Sequence, residues 1–190
     1  MTTVLNLDSI TTLTRSQFYK LCQTNPDLLL ERSSQGELII VTPIGGESGN
    51  QEANLIIKVG IWNEQTKLGL VFSSQTVFSL PGGSDRSPDA AWVKLERWEA
   101  LTPEERKGFP PICPDFVIEL RSRTDRLKPL QNKMQEYLAS GLRLGWLINR
   151  KGKQVEIYRQ GKKVEVVTMP VVLSGEDVLP GFSLELRIEN

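Results

Sequence analysis

The chain has no histidine among its 190 residues. That absence excludes Ser-His-Asp and Cys-His catalysis and every metal site that depends on imidazole. Cysteine is scarce too. Cys22 and Cys113 stand in unrelated contexts and form no CxxC pair, which argues against a zinc site or redox dithiol and suits a reducing cytoplasm. No apolar run approaches the ~20 residues of a membrane span. The opening Met-Thr-Thr-Val-Leu-Asn-Leu-Asp lacks the basic start and apolar core of a signal peptide. Neither sign of charge predominates: 23 acidic residues balance 23 basic ones. No global field therefore attracts nucleic acid, and any such binding must come from local patches or a dimer. No repeat, linker or low-complexity stretch divides the chain, and its length suits one domain, residues 1–190, with a core that needs no staples.

Residues 1–13 read as a loosely held, flexible N-terminal arm. Thr14 followed by Gln17 makes a capping-box pattern for a short helix with Phe18, Leu21 and Cys22 on one face. Leu28 to Arg32 and Glu37 to Thr42 form a hairpin about Ser33-Ser34-Gln35-Gly36. A long helix follows, with Ala53, Ile56, Ile57, Gly60 and Ile61 as its apolar stripe. Strands at Leu70–Phe72 and Gln75–Leu80 lead to a turn at Pro81-Gly82-Gly83-Ser84. Residues 95–112 form a surface insertion in which Thr102 caps a helix and Pro103 takes its first position. A helix over 129–140 ends at Gly141, and Arg143 to Asn149 forms a strand parallel to residues 115–121. A hairpin over 155–168 and a last strand at 183–188 follow. The pattern predicts an α/β fold with a mixed central sheet flanked by helices.

Chemistry concentrates in residues 86–133. Phe116, Val117, Ile118 and Leu120 make a buried strand with Glu119 inside it. A carboxylate there is costly to desolvate without a partner. A divalent cation is one candidate. Arg121 is another, sharing a strand face at i+2. Asp115 lies about 13 Å from Glu119 along the strand, too far to share an ion easily, and reads as a strand-entry residue. Asp89, in Ser87-Pro88-Asp89, comes from a separate segment. Pairing of that segment with 115–121 would bring it about 5 Å from Glu119. Arg121, Arg123 and Arg126 follow the strand, in a place where arginine forks would serve phosphate.

The order Ser-Pro-Asp, Asp-Phe-Val-Ile-Glu-Leu-Arg-Ser, Lys-Met-Gln-Glu-Tyr and Gly-Trp-Leu-Ile resembles the Uma family, a group assigned as restriction endonucleases within the PD-(D/E)XK nuclease superfamily. The resemblance runs from about Thr42 to residues 179–184. It implies a restriction-endonuclease-like fold and a Mg²⁺- or Mn²⁺-dependent DNA endonuclease. Asp89, Glu119 and Lys133 would be catalytic, and Asp89, Glu119 and Glu47 would hold metal. The signature lysine two residues after the glutamate is Arg121 here, and Lys133 on the following helix matches a displaced lysine. Glu47 is equally explained as a helix-start acid favoured by the dipole, whereas Glu52 falls off that face and reads as solvated. DNA is the expected partner, with Arg121, Arg123 and Arg126 contacting it. A homodimer in the cytoplasm is expected, since palindromic targets match two-fold proteins. The alternative is a nuclease-like fold kept as a binding or assembly module without turnover.

Overall fold

Alternation along two strands decides how the molecule is layered. In the computed structural model, which describes residues 2–5, 7 and 11–188, the elements run in chain order as follows. They are β1 (Thr2–Leu5), α1 (Arg15–Thr24), β2 (Leu29–Arg32), β3 (Leu38–Val41), α2 (Gly46–Thr66), β4 (Gly69–Ser73), β5 (Phe78–Ser79), β6 (Asp85–Arg86), β7 (Ala90–Lys94), α3 (Leu95–Glu99), α4 (Pro103–Lys107), β8 (Phe116–Leu120), α5 (Leu127–Ala139), β9 (Leu144–Asn149), β10 (Gln154–Arg159), β11 (Glu165–Thr168), β12 (Val171–Ser174) and β13 (Ser183–Leu186). The main sheet has the order β11-β10-β9-β8-β7-β4, and a second sheet has the order β1-β3-β2-β6-β5.

The main sheet is mixed. β8 and β9 are parallel, with α5 as their crossover, and the other neighbours in this sheet are antiparallel. Phe116, Ile118 and Leu120 face one side with Trp92, Trp146 and the α2 residues Leu55, Val59 and Trp62. Val117 faces the other, with Ala91, Val93, Leu147 and the α5 residues Met134 and Tyr137. Glu119 has the parity of Val117, so it is aimed at α5. Both faces of β8 are covered, which is why its run is almost wholly apolar.

Several expectations stand corrected. The arm expected over 1–13 contains β1, an edge strand on β3 with Thr2 opposite Val41; residues 1, 6 and 8–10 of that arm lie outside the described residues. In α2 the buried stripe is Leu55, Val59 and Trp62, whereas Ile57 and Ile61 are 54% and 56% exposed. Both faces of this helix carry apolar residues. The face with Trp62 packs because its ring meets Trp92 and Phe182 and its indole N–H donates to the Pro180 carbonyl at 3.0 Å. β12, paired with β13, had no strand forecast. The capping box at Thr14 and the Thr102 cap with Pro103 at the first position form as their spacing implies, and Thr102 also makes a capping box with Glu105.

The close packing of β4 on β7 gives a test. A Cβ at Gly69 would run into the Val93 carbonyl oxygen and the Trp92 ring. A strand carbonyl cannot move aside, so Gly69→Ala is expected to destabilise the fold by about 1–3 kcal/mol. Thermal denaturation of the variant against the parent measures this; an unchanged midpoint would refute the packing described.

Candidate functional site

β6, the residues Ser87–Asp89 and β7 form one segment that leaves the second sheet and enters the main one. The candidate site lies at this crossing. β7 and β8 are antiparallel with Ala90 opposite Ile118. Continuing that register by one residue puts Asp89 opposite Glu119, on the α5 side of the sheet. The Leu120 backbone N–H donates to Asp89 Oδ2 at 2.6 Å, tying the half-buried carboxylate to the end of β8.

From α5, Lys133 and Tyr137, one turn apart, both reach Glu119. Lys133 Nζ lies 2.8 Å from Glu119 Oε1, and the Tyr137 hydroxyl donates to the same oxygen at 3.1 Å. Glu119 is only 2% exposed. The other two ammonium contacts go elsewhere. Lys133 donates to the Ser87 carbonyl at 2.8 Å and pairs with Glu31 Oε1, also at 2.8 Å. Three acceptors from three elements match the three protons of an ammonium.

Glu31 was not anticipated. It comes from β2, where Arg32 lies opposite Asp85 on β6. One step along that register, Glu31 meets Arg86: Arg86 Nη1 donates to Glu31 Oε2 at 2.9 Å, and the Ser87 N–H donates to Glu31 Oε1 at 3.0 Å. Arg86 also grips Glu136 of α5 through Nε at 2.7 Å and Nη2 at 3.0 Å. The cluster sets Glu31, Asp89, Glu119 and Glu136 against Lys133 and Arg86, four carboxylates against two cations. The signal for Glu31 was available in the sequence. Leu28-Leu29-Leu30-Glu31 is another acid in an apolar strand, the pattern that drew attention to Glu119.

Ionisation follows from this layout. Burial, and then repulsion from Glu119, push Asp89 well above the usual carboxylate range. Burial also raises Glu119, although Lys133 opposes it. Glu31 is different: burial works against its charge, but Lys133 and Arg86 outweigh it and hold the group below its ordinary value. Burial would neutralise Lys133, but Glu119, Glu31 and Asp89 keep it protonated above its ordinary range.

The remaining expected residues fall apart from this cluster. Arg121 does not pair with Glu119. β8 ends at Leu120, and the guanidinium turns to the Asp125 carbonyl at 3.1 Å and Asn149 Oδ1 at 3.2 Å. Arg123 and Arg126 are exposed on the same loop. Glu47 is exposed in the first turn of α2; the α2 acid that acts on Asp89 is Glu52, which accepts from the Ser74 hydroxyl at 2.5 Å. Asp115 sits at the entry to β8, held by the Lys94 N–H at 2.9 Å and Arg97 at 2.9 Å. Among the described residues, no three acidic or cysteine side chains converge as a ready-made cation cage. No described helix is long and apolar enough to cross a membrane.

The fold is similar to that of an Anabaena variabilis protein whose crystal structure is described as "a putative nuclease belonging to DUF820". The TM-score is 0.75 at 21% identity, covering 93% of this chain and 95% of that one. The architecture is thus that of a nuclease-like α/β fold. No curated protein matches the chain. The model of the Uma2 family, described as "Putative restriction endonuclease", matches residues 15–187. The chain belongs to that family.

Asp89 provides a stability test. Its raised pKa means that folding above that pKa must keep a disfavoured charge, a penalty that vanishes once pH falls below the unfolded value near 4. Asp89→Asn removes the charge and can still accept from Leu120 N–H. In EDTA at pH 8 the variant is expected to be more stable by about 1 kcal/mol, or roughly 2–4 °C, with the gain shrinking toward zero near pH 4. A variant no more stable than the parent at pH 8 would contradict the crowding of Asp89 and Glu119.

Proposed function

We propose that this chain is a metal-dependent endodeoxyribonuclease. The observation that carries the reading is the register of β7 and β8, which aims Asp89 and Glu119 at one face with the Lys133 ammonium beside Glu119. Asp89 and Glu119 would hold Mg²⁺ or Mn²⁺. The donor set fits: Asp89 Oδ1 and Glu119 Oε2 have no hydrogen bond or ion pair among the described residues, while their partner oxygens are anchored. The excess of two carboxylates over cations in the cluster suits a dication. Mg²⁺ keeps several waters and needs only one or two carboxylates, so a three-acid cage is not required. Glu52 is better placed than the exposed Glu47 to contribute from α2.

A cation held by Asp89 and Glu119 would supply Lewis acidity toward a phosphodiester and would lower the pKa of a bound water. The chain's own groups do the rest. Tyr137 and Lys133 fix the Glu119 carboxylate, and the Leu120 N–H fixes Asp89. Lys133 stays protonated, so its role is to stabilise charge on the phosphate rather than to remove a proton. Arg121, committed to Asp125 and Asn149, would shape the loop that presents Arg123 and Arg126 to the DNA backbone. A two-fold dimer would suit a palindromic target.

One observation favours the second reading, a binding module without turnover. Lys133 already neutralises Glu119 through a 2.8 Å pair, as a structural lysine would. Calorimetry with Mn²⁺ and plasmid cleavage decide between them. The nuclease should bind the ion, lose that heat in Asp89→Asn, and cleave. Lys133→Ala should retain most of the heat and lose cleavage by about a hundredfold or more, the scale of removing one charge-stabilising donor. A parent that neither binds Mn²⁺ nor nicks plasmid would leave the binding module standing. Arg121→Ala should chiefly weaken DNA affinity; if it is dead while Lys133→Ala cleaves normally, the displaced-lysine assignment fails.

A further inference from the structure

Basic residues are unevenly spread in a chain whose charges balance at 23 against 23. Because β8 and β9 are parallel, their C-terminal ends lie side by side. The stretch leaving β8, residues 121–128, carries Arg121, Arg123, Arg126 and Lys128 against a single acid, Asp125, whose Oδ2 is engaged by the Ser122 N–H at 3.0 Å. The turn leaving β9 carries Arg150, Lys151 and Lys153 and no acid. Arg123, Arg126, Lys128, Lys151 and Lys153 are exposed. A solvated lysine pair on a turn needs no further explanation by itself, but here the two segments are joined. Asn149, 5% exposed, accepts through Oδ1 from Arg121 Nη1 at 3.2 Å and from the Gly152 N–H at 3.0 Å. One buried amide therefore sets the spacing between the loop and the turn.

We infer that the β9–β10 turn is a second phosphate anchor for duplex DNA. In this arrangement Lys151 and Lys153 hold backbone phosphates, beside the Arg123 and Arg126 loop and on the same side of the site. The inference rests on the nuclease reading and adds a surface to it. Glu119 lies opposite Leu147, and two residues of strand rise, about 7 Å, separate Leu147 from Asn149 at the end of β9, with the turn that carries Lys151 beyond it. The strand part alone is about two nucleotide steps at 3.4 Å each. The turn would therefore grip the flank of the target and leave the reacting phosphate to the carboxylates. Such contacts position the duplex and carry no sequence information.

The test is fluorescence anisotropy of a labelled 20-base-pair duplex in EDTA, over a KCl series, with the full chain. Each lost phosphate contact lowers the slope of log K against log salt by about 0.9. Lys151→Gln/Lys153→Gln should reduce the slope by about 2 and weaken binding to unrelated sequences equally. Lys162→Gln/Lys163→Gln, on the exposed β10–β11 turn at the other end of β10, removes the same charge and should leave the slope unchanged. A parent that binds while the 151/153 variant keeps its slope overturns the anchor and spares the nuclease reading. Equal losses in both double variants also overturn it, because net charge alone would then explain the effect. A parent with no duplex binding at any salt overturns both.

Discussion

The ammonium of Lys133 is the point at which the two sheets and the long crossover helix are locked together. Its acceptors come from β2, β8 and the segment between β6 and β7. None of these would tolerate its loss cheaply. Glu31 and Glu119 are both almost fully buried, and removing one partner of a buried ion pair leaves an uncompensated charge at a cost of about 3–5 kcal/mol. The same contacts fix the protonation states. Glu31 stays ionised because two cations face it, and Lys133 stays charged because three carboxylates surround it. Among the described residues Asp89 has no ion pair, and burial with the nearby Glu119 raises its pKa.

That asymmetry divides the carboxylates into two sets. Glu31 and Glu136 are saturated by Arg86 and Lys133, and they brace the cluster. Asp89 and Glu119 each keep one oxygen without a partner among the described residues, and both have raised pKa values. The stability supplied by the first set allows the second to remain unsatisfied, and under the proposed function those free oxygens are where the cation would be held. It also explains why an arginine at position 121 does not disturb the arrangement. Past the end of β8 it no longer obeys strand alternation, and its fork is taken up by Asn149 and the Asp125 carbonyl. Lys133 approaches instead from above the sheet, where the i to i+4 spacing with Tyr137 puts two donors on one carboxylate oxygen.

Much of this was legible from residue order. An acid inside Phe-Val-Ile-Glu-Leu has to be a burial problem, and the parity of Val117 and Glu119 decides which helix solves it. The strand–helix–strand spacing around α5 required β8 and β9 to be parallel, and they are. The helix caps at Thr14 and Thr102 were readable because they depend only on local geometry. What escaped depends on long-range packing. Glu31 lies in a short hairpin, and only the pairing of β2 with β6 shows that it faces Arg86. The choice between Glu47 and Glu52 depends on how α2 is rotated. Periodicity chose the wrong rotation, because it placed Ile57 and Ile61 in the buried stripe and both stay exposed.

The distribution of charge connects the braced cluster with the basic turn beyond it. A phosphate backbone is attracted to the exposed cations after β8 and β9 and repelled by the net negative cluster at Asp89 and Glu119. Under the proposed function, these opposing fields let a duplex dock on the rim without settling in the acidic cleft. Cations on the turn and a dication between the carboxylates would thus do separable work: the first sets affinity and its salt dependence, and the second admits the reacting phosphate.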